Sequence, residues 1–74
     1  MAPKFEVTMG GYDITEVEGL VEAVSDASDP EALLRMLRSR QAEKFPRRFR
    51  GYSKIQVHNY IEDRIREFSP EAGL

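Results

Sequence analysis

Laid against itself at an offset of 45 − 5 = 40 positions, this chain of 74 residues repeats its most demanding positions without a gap. Phe5 falls on Phe45, Gly11 on Gly51, Tyr12 on Tyr52 and Val17 on Val57; Glu22 falls on Glu62. Met9, Leu20 and Val21 meet Phe49, Tyr60 and Ile61. A period of this length marks a duplicated supersecondary unit whose apolar face only a neighbour can cover. In each unit an aromatic residue enters, Gly supplies a backbone bend, and Tyr precedes a helix cap and packs back on the first turn.

The helices follow from caps and periodicity. Asp13-Ile14-Thr15-Glu16 has the form of a capping box, and Val17, Leu20, Val21 and Val24 follow at helical spacing. Helix one is expected from Ile14 to Asp26, with Gly19 marking close packing. Asp29-Pro30-Glu31 starts a second helix over about 30–44. Leu33, Leu34, Leu37 and Gln41 form its stripe, and it ends near Glu43 because Pro46 forces Phe45 out of the helical region. Ser53-Lys54-Ile55-Gln56 is a second capping box, and Val57, Tyr60, Ile61, Ile65 and Phe68 form the stripe of helix three up to Ser69-Pro70. "EAGL" reads as a frayed tail. Extended segments fit only "KFEVTM" and "PRRFR". The expected fold is a small all-α domain over 1–74, made of two repeats, about 5–27 and 45–68, and a connecting helix. Helix one then runs alongside helix three in the same direction, with helix two antiparallel. A homodimer pairing equivalent copies is the alternative.

Size sharpens the need for such pairing. A domain this small hides about 60% of the surface its unfolded chain exposes. With no Cys and a single His58, disulfides and His/Cys metal clusters are excluded. No apolar run approaches the ~20 residues of a membrane-spanning helix, and "MAPKFEV" has no apolar signal-peptide core. A soluble cytoplasmic protein is the expectation. Net charge is −2, unevenly spread. Residues 1–34 hold one Lys against eight acids; residues 35–54 hold eight Lys or Arg against Glu43. Such asymmetry points to head-to-tail contact or to an anionic partner.

Phe49-Arg50-Gly51-Tyr52 followed by "QVHNYIE", and Gly10-Gly11-Tyr12 followed by "EVEGLVE", resemble the DivIVA domain, the N-terminal module of bacterial pole- and septum-organising proteins. Small actinobacterial proteins with tandem copies are similar in layout. The resemblance covers roughly Phe5–Val24 and Phe45–Ile65. It implies parallel helices joined through interlocked loops. It also implies a loop tip whose Phe enters the lipid interface and whose Arg meets phosphate; Phe49 and Arg50 match that pair. Met9 and Gly10 hold those places in the first copy. The family's long coiled coil has no counterpart in these 74 residues.

The expected function is a noncatalytic interaction module that binds cell-envelope or cell-division proteins. It would sit peripherally at the inner membrane through the basic loop Arg47, Arg48, Phe49 and Arg50. Phe5, Gly11, Tyr12, Val17, Phe45, Gly51, Tyr52 and Val57 serve the repeat itself. His58 faces solvent or the other repeat. Tyr12, Tyr52 and Tyr60 pack with wet hydroxyls. Glu16, Glu18 and Glu22 have the spacing of a helix surface and a cap, and no nucleophile–base pair, metal cluster or phosphate loop points to catalysis or a cofactor. Two alternatives use other features. Arg35, Arg38, Arg47, Arg48 and Arg50 would meet nucleic-acid phosphates with Tyr52 stacking, although overall acidity argues against it. The acidic face of helix one would otherwise dock a cytosolic enzyme.

Overall fold

A computed structural model describes residues 4–68. Three helices and a two-stranded antiparallel sheet make a small, mostly α-helical domain. Strand β1 (Val7–Met9) leads into α1 (Ile14–Asp26); α2 (Pro30–Ala42) follows; β2 (Arg50–Tyr52) leads into α3 (Lys54–Phe68). Each helix starts where a short polar side chain frees itself to cap. Asp13 accepts from the Glu16 N–H, Asp29 from the Glu31 N–H with Pro30 in the first turn, and the Ser53 hydroxyl from the Gln56 N–H. The tail beyond Phe68, "EAGL" included, lies outside the described residues.

The two repeats are held together by contacts that occur in exchanged pairs. In the sheet Val7 pairs with Tyr52, Thr8 with Gly51 and Met9 with Arg50. Tyr12 then bridges both Arg47 and Tyr52. The Tyr12 N–H donates to the Tyr52 carbonyl at 2.9 Å, and the Tyr52 N–H donates to the Tyr12 carbonyl at 2.9 Å. The Asp13 N–H donates to the Pro46 carbonyl and the Ser53 N–H to the Glu6 carbonyl, each at 2.8 Å. The aromatic contacts are exchanged too: Phe5 lies 5.2 Å from Tyr52, and Tyr12 lies 5.5 Å from Phe45, both tilted. Every one of these pairs maps onto its partner by the same offset that aligns the sequence, so each loop closes the other.

Gly11 and Gly51 make this crossing possible. A Cβ on Gly11 would land on the Gly51 carbonyl; one on Gly51 would land on the Tyr12 carbonyl oxygen and 2.6 Å from the Gly11 carbonyl carbon. The bend expected of these two glycines is therefore not their role. Neither has a positive φ; that conformation belongs to Gly10, at 73°. What Gly11 and Gly51 supply is room for two backbones to touch.

Below the crossing lies one apolar core. Val17, Leu20 and Val21 of α1, Leu33 and Leu37 of α2, and Val57 and Ile61 of α3 are buried with Tyr12 and Phe45. Phe5, Val24, Met36, Tyr52, Tyr60, Ile65 and Phe68 pack around them, half-buried. Burying a Val or Leu side chain stabilises by about 1.5–3 kcal/mol against full exposure. The nine buried residues are thus the main drive, and the crossing decides which surfaces meet.

Four details differ from expectation. The most extensive backbone approach between helices joins α2 to α3, not α1 to α3. The loops tie the starts of α1 and α3 together through the Asp13 and Ser53 N–H groups. Strand β2 covers Arg50–Tyr52 rather than "PRRFR", because Tyr12 takes Arg47 only as an isolated bridge. The capping boxes are half-formed. The cap N–H groups of Asp13 and Ser53 are taken by the opposite loop, so Glu16 turns to Arg40 at 3.8 Å and the Gln56 oxygen accepts from the Glu6 N–H at 2.7 Å. Finally, Gly19 is exposed and nothing lies within 4 Å of where its Cβ would be, so it marks no close packing.

The two kinds of glycine predict opposite mutational results. Gly19→Ala should stabilise by about 1 kcal/mol, the helix-propensity difference alone. Gly51→Ala sets a methyl against backbone that cannot turn aside, an overpacking cost of about 1–3 kcal/mol or more. Against the ~3–5 kcal/mol that a core of this size supplies, that removes most of the cooperative unfolding transition. Urea unfolding followed by circular dichroism measures both, and a wild-type midpoint for Gly51→Ala would be incompatible with the crossing.

Candidate functional site

Where the repeats cross, the chain projects a tip built from Met9-Gly10 of one repeat and Phe49-Arg50 of the other. Met9 stands opposite Arg50, and on the next rung the Gly10 N–H donates to the Phe49 carbonyl at 2.8 Å. Two large apolar side chains thus leave adjacent rungs with nothing packed over them: Met9 is 76% exposed and Phe49 77%. Scattered exposed apolar residues are ordinary; here two stand at one tip, each next to Arg50 in the ladder. The left-handed turn at Gly10 lets the first loop double back here.

The arginines divide by task. The Arg48 N–H donates to the Gly11 carbonyl at 2.9 Å, and its guanidinium pairs with Asp13 at 2.5 Å. Arg48 therefore pins the second loop to the cap of α1. The Arg48 guanidinium holds the Asp13 carboxyl below its usual range, helped by the Glu16 N–H, and Asp13 in turn raises Arg48. Arg47 turns back, its Nε donating to the Gly10 carbonyl at 3.2 Å. Arg50 takes part in none of the ion pairs among the described residues. Of the four residues expected at the binding loop, Phe49 and Arg50 stand outward, while Arg47 and Arg48 also hold the loop's shape.

The residues assigned to the repeat lie around this tip and beneath it. Gly11, Gly51, Tyr12, Phe45, Val17 and Val57 are buried; Phe5 and Tyr52 are half-buried. The tyrosine hydroxyls reach across to the opposite repeat. The Tyr12 hydroxyl bonds the His58 Nε2, and its ring stacks on that imidazole at 5.5 Å. The Tyr52 hydroxyl donates to Glu18 at 3.3 Å. Position 58 is the repeat equivalent of position 18, so each tyrosine reaches the other repeat's helix. Burial raises the pKa of Tyr12, and burial with the nearby Glu18 charge raises that of Tyr52. These two hydroxyls are bonded, not merely wet. His58 reaches the adjacent repeat.

Two features escaped the sequence reading. Ile55 is 74% exposed at the start of α3, and Lys44 and Lys54 border a surface groove of about 280 Å³ beside it. Ile55 stands off the apolar stripe Val57–Ile61, directly after a cap, which was the available cue. Among the described residues no group of three His, Cys, Asp or Glu side chains is placed to hold a metal ion, and no helix is long and apolar enough to cross a membrane. No protein-family model, curated protein or solved structure matches this chain.

The Asp13–Arg48 pair predicts an acid dependence. A lowered native pKa means that the pair's contribution is complete above the unfolded-state value of about 3.9 and is lost as pH falls through the native value. Asn keeps a good cap but carries no charge. Asp13→Asn should therefore unfold at lower urea than the wild type near neutrality, and the gap should close below about pH 4. Urea midpoints across pH measure this; a gap constant into strong acid would show that the charge is not what stabilises.

Proposed function

We propose that this chain is a noncatalytic interaction module of the DivIVA type, which brings cell-envelope or cell-division proteins to the anionic inner surface of the membrane. The observation that carries the reading is the tip: Met9 and Phe49 exposed on adjacent rungs, with Arg50 unpaired among the described residues. A single apolar anchor gives only marginal membrane affinity, and a second anchor or a basic patch makes it stable. This tip offers two apolar side chains and cations within one loop pair. The interlocked loops support the family reading because they hold the tip rigid from below. Such rigidity reduces the ordering cost of binding. The tip's apolar side chains enter the interfacial layer and Arg50 meets lipid phosphate, with electrostatic attraction that falls as salt rises.

Co-sedimentation with phosphatidylglycerol vesicles tests this. The wild type should pellet at low salt, Phe49→Ala/Arg50→Ala should remain in the supernatant, and Met9→Ala should fall between. Both variants alter exposed side chains, so circular dichroism should be unchanged. Equal, negligible pelleting of wild type and double variant would refute membrane docking and leave the tip as a protein-binding patch, read by pull-down from native cells with the same variants.

A further inference from the structure

The repeat makes two equivalent sets of positions beside the crossed tyrosines, and the chain has made only one of them strongly basic. Beside Tyr12 the groove is lined by Phe45, His58, Ile55 and the three cations Lys44, Arg47 and Lys54. At the repeat-equivalent positions around Tyr52 stand Lys4, Val7, Ile14, Thr15 and Glu18. The shared aromatic pair, Tyr with Phe, is what the fold needs. The cations at 47 and 54, the apolar side chain at 55 and the imidazole at 58 are absent from the other copy; Arg47 and His58 also bond Gly10 and Tyr12, whereas Lys54 and Ile55 are exposed. Lys44, Arg47 and Lys54 join none of the ion pairs among the described residues, which are Arg40–Glu16, Arg48–Asp13, Arg64–Glu67 and Arg66–Asp63.

We infer that this groove binds an acidic peptide segment carrying an apolar side chain, a second site distinct from the tip and independent of its assignment. Charge complementarity calls for an anionic occupant: three uncompensated cations arrive from the end of α2, the loop and the start of α3 and border one concavity. Its volume of about 280 Å³ is near the lower end of small-molecule clefts, roughly 300–1,000 Å³, and larger than one phosphate fills. Ile55, 74% exposed, would be left in water by a bare inorganic anion but would be covered by an aliphatic side chain. The carboxylates of the segment pair with Lys44, Lys54 and Arg47, while the apolar side chain lies on Ile55. The His58–Tyr12 hydrogen bond fixes two of the lining side chains against each other.

Fluorescence anisotropy with the labelled peptide Gly-Glu-Asp-Leu-Glu-Asp-Gly tests this on the full chain, without lipid, so the result is separate from vesicle pelleting. Binding should be saturable at low salt. Lys44→Gln/Lys54→Gln should weaken it about tenfold, as expected for losing two partly exposed charge pairs. Ile55→Ser, or Ser for Leu in the peptide, should weaken it about threefold through lost apolar contact. Lys4→Gln/Arg66→Gln removes equal charge elsewhere and should leave affinity unchanged. The inference is overturned if the groove variant binds like wild type, if the two double variants weaken binding equally, or if inorganic phosphate competes as well as unlabelled peptide does. Circular dichroism melts of each variant confirm folding, and amide shifts confined to the groove on titration would support the assignment.

Discussion

Two glycines facing each other across a backbone crossing govern the rest of this molecule. With Gly11 and Gly51 in contact, the Tyr12 and Tyr52 peptides exchange hydrogen bonds and the two loops close on one another. The crossing brings the ends of α1 and α3 to one place. It also satisfies the cap N–H groups of both helices from the opposite loop. Buried backbone groups must find partners, and here each repeat supplies those the other lacks. A single unit would leave its loop edge unpaired and its apolar stripe in water, which explains why a chain this short carries the unit twice.

The exchange extends from backbone to side chains. Phe5 lies against Tyr52 and Phe45 against Tyr12, and each tyrosine hydroxyl reaches the partner helix at the same helical position, Glu18 or His58. The second repeat also carries the basic loop, and Arg48 fastens it to Asp13 of the acidic first repeat while Arg40 of α2 pairs with Glu16. Arg40 lies over the Phe45 ring at 4.7 Å as well, joining α2 to the crossing. Part of the opposed charge along the chain is thus spent internally, as attraction between the halves. The other cations of the basic run, Arg35, Arg38, Lys44, Arg47, Arg50 and Lys54, stay at the surface in none of the ion pairs among the described residues.

Conserving the pairing while varying the residues around it separates architecture from recognition. Where both repeats hold the same type, as at Phe5/Phe45, Gly11/Gly51, Tyr12/Tyr52 and Val17/Val57, the residue serves the shared crossing and core. Where they differ in charge, as at Gly10/Arg50, Glu18/His58 and Ile14/Lys54, one member of the pair sits at the tip or along the groove. Symmetry in the scaffold and asymmetry at its surface give one face a chemical character the other lacks.

Helix positions were legible from the chain because caps and apolar spacing act locally: Asp13, Asp29-Pro30 and Ser53 mark starts that no distant contact overrides. The equivalence of the two repeats was legible as well, since it is carried by residue type and spacing. What the glycines do was not. A Gly before a Tyr reads as a bend, and only packing one loop against the other shows that the need is absence of a Cβ rather than a positive φ. Nor could spacing tell that Gln56 and Glu16 abandon their capping boxes, because the competing donors and acceptors lie tens of residues away. The groove and the nearness of Met9 and Phe49 in the ladder are likewise products of tertiary structure: they exist only once the two loops have paired. Local chemistry chose the elements; non-local contact chose which surfaces they share.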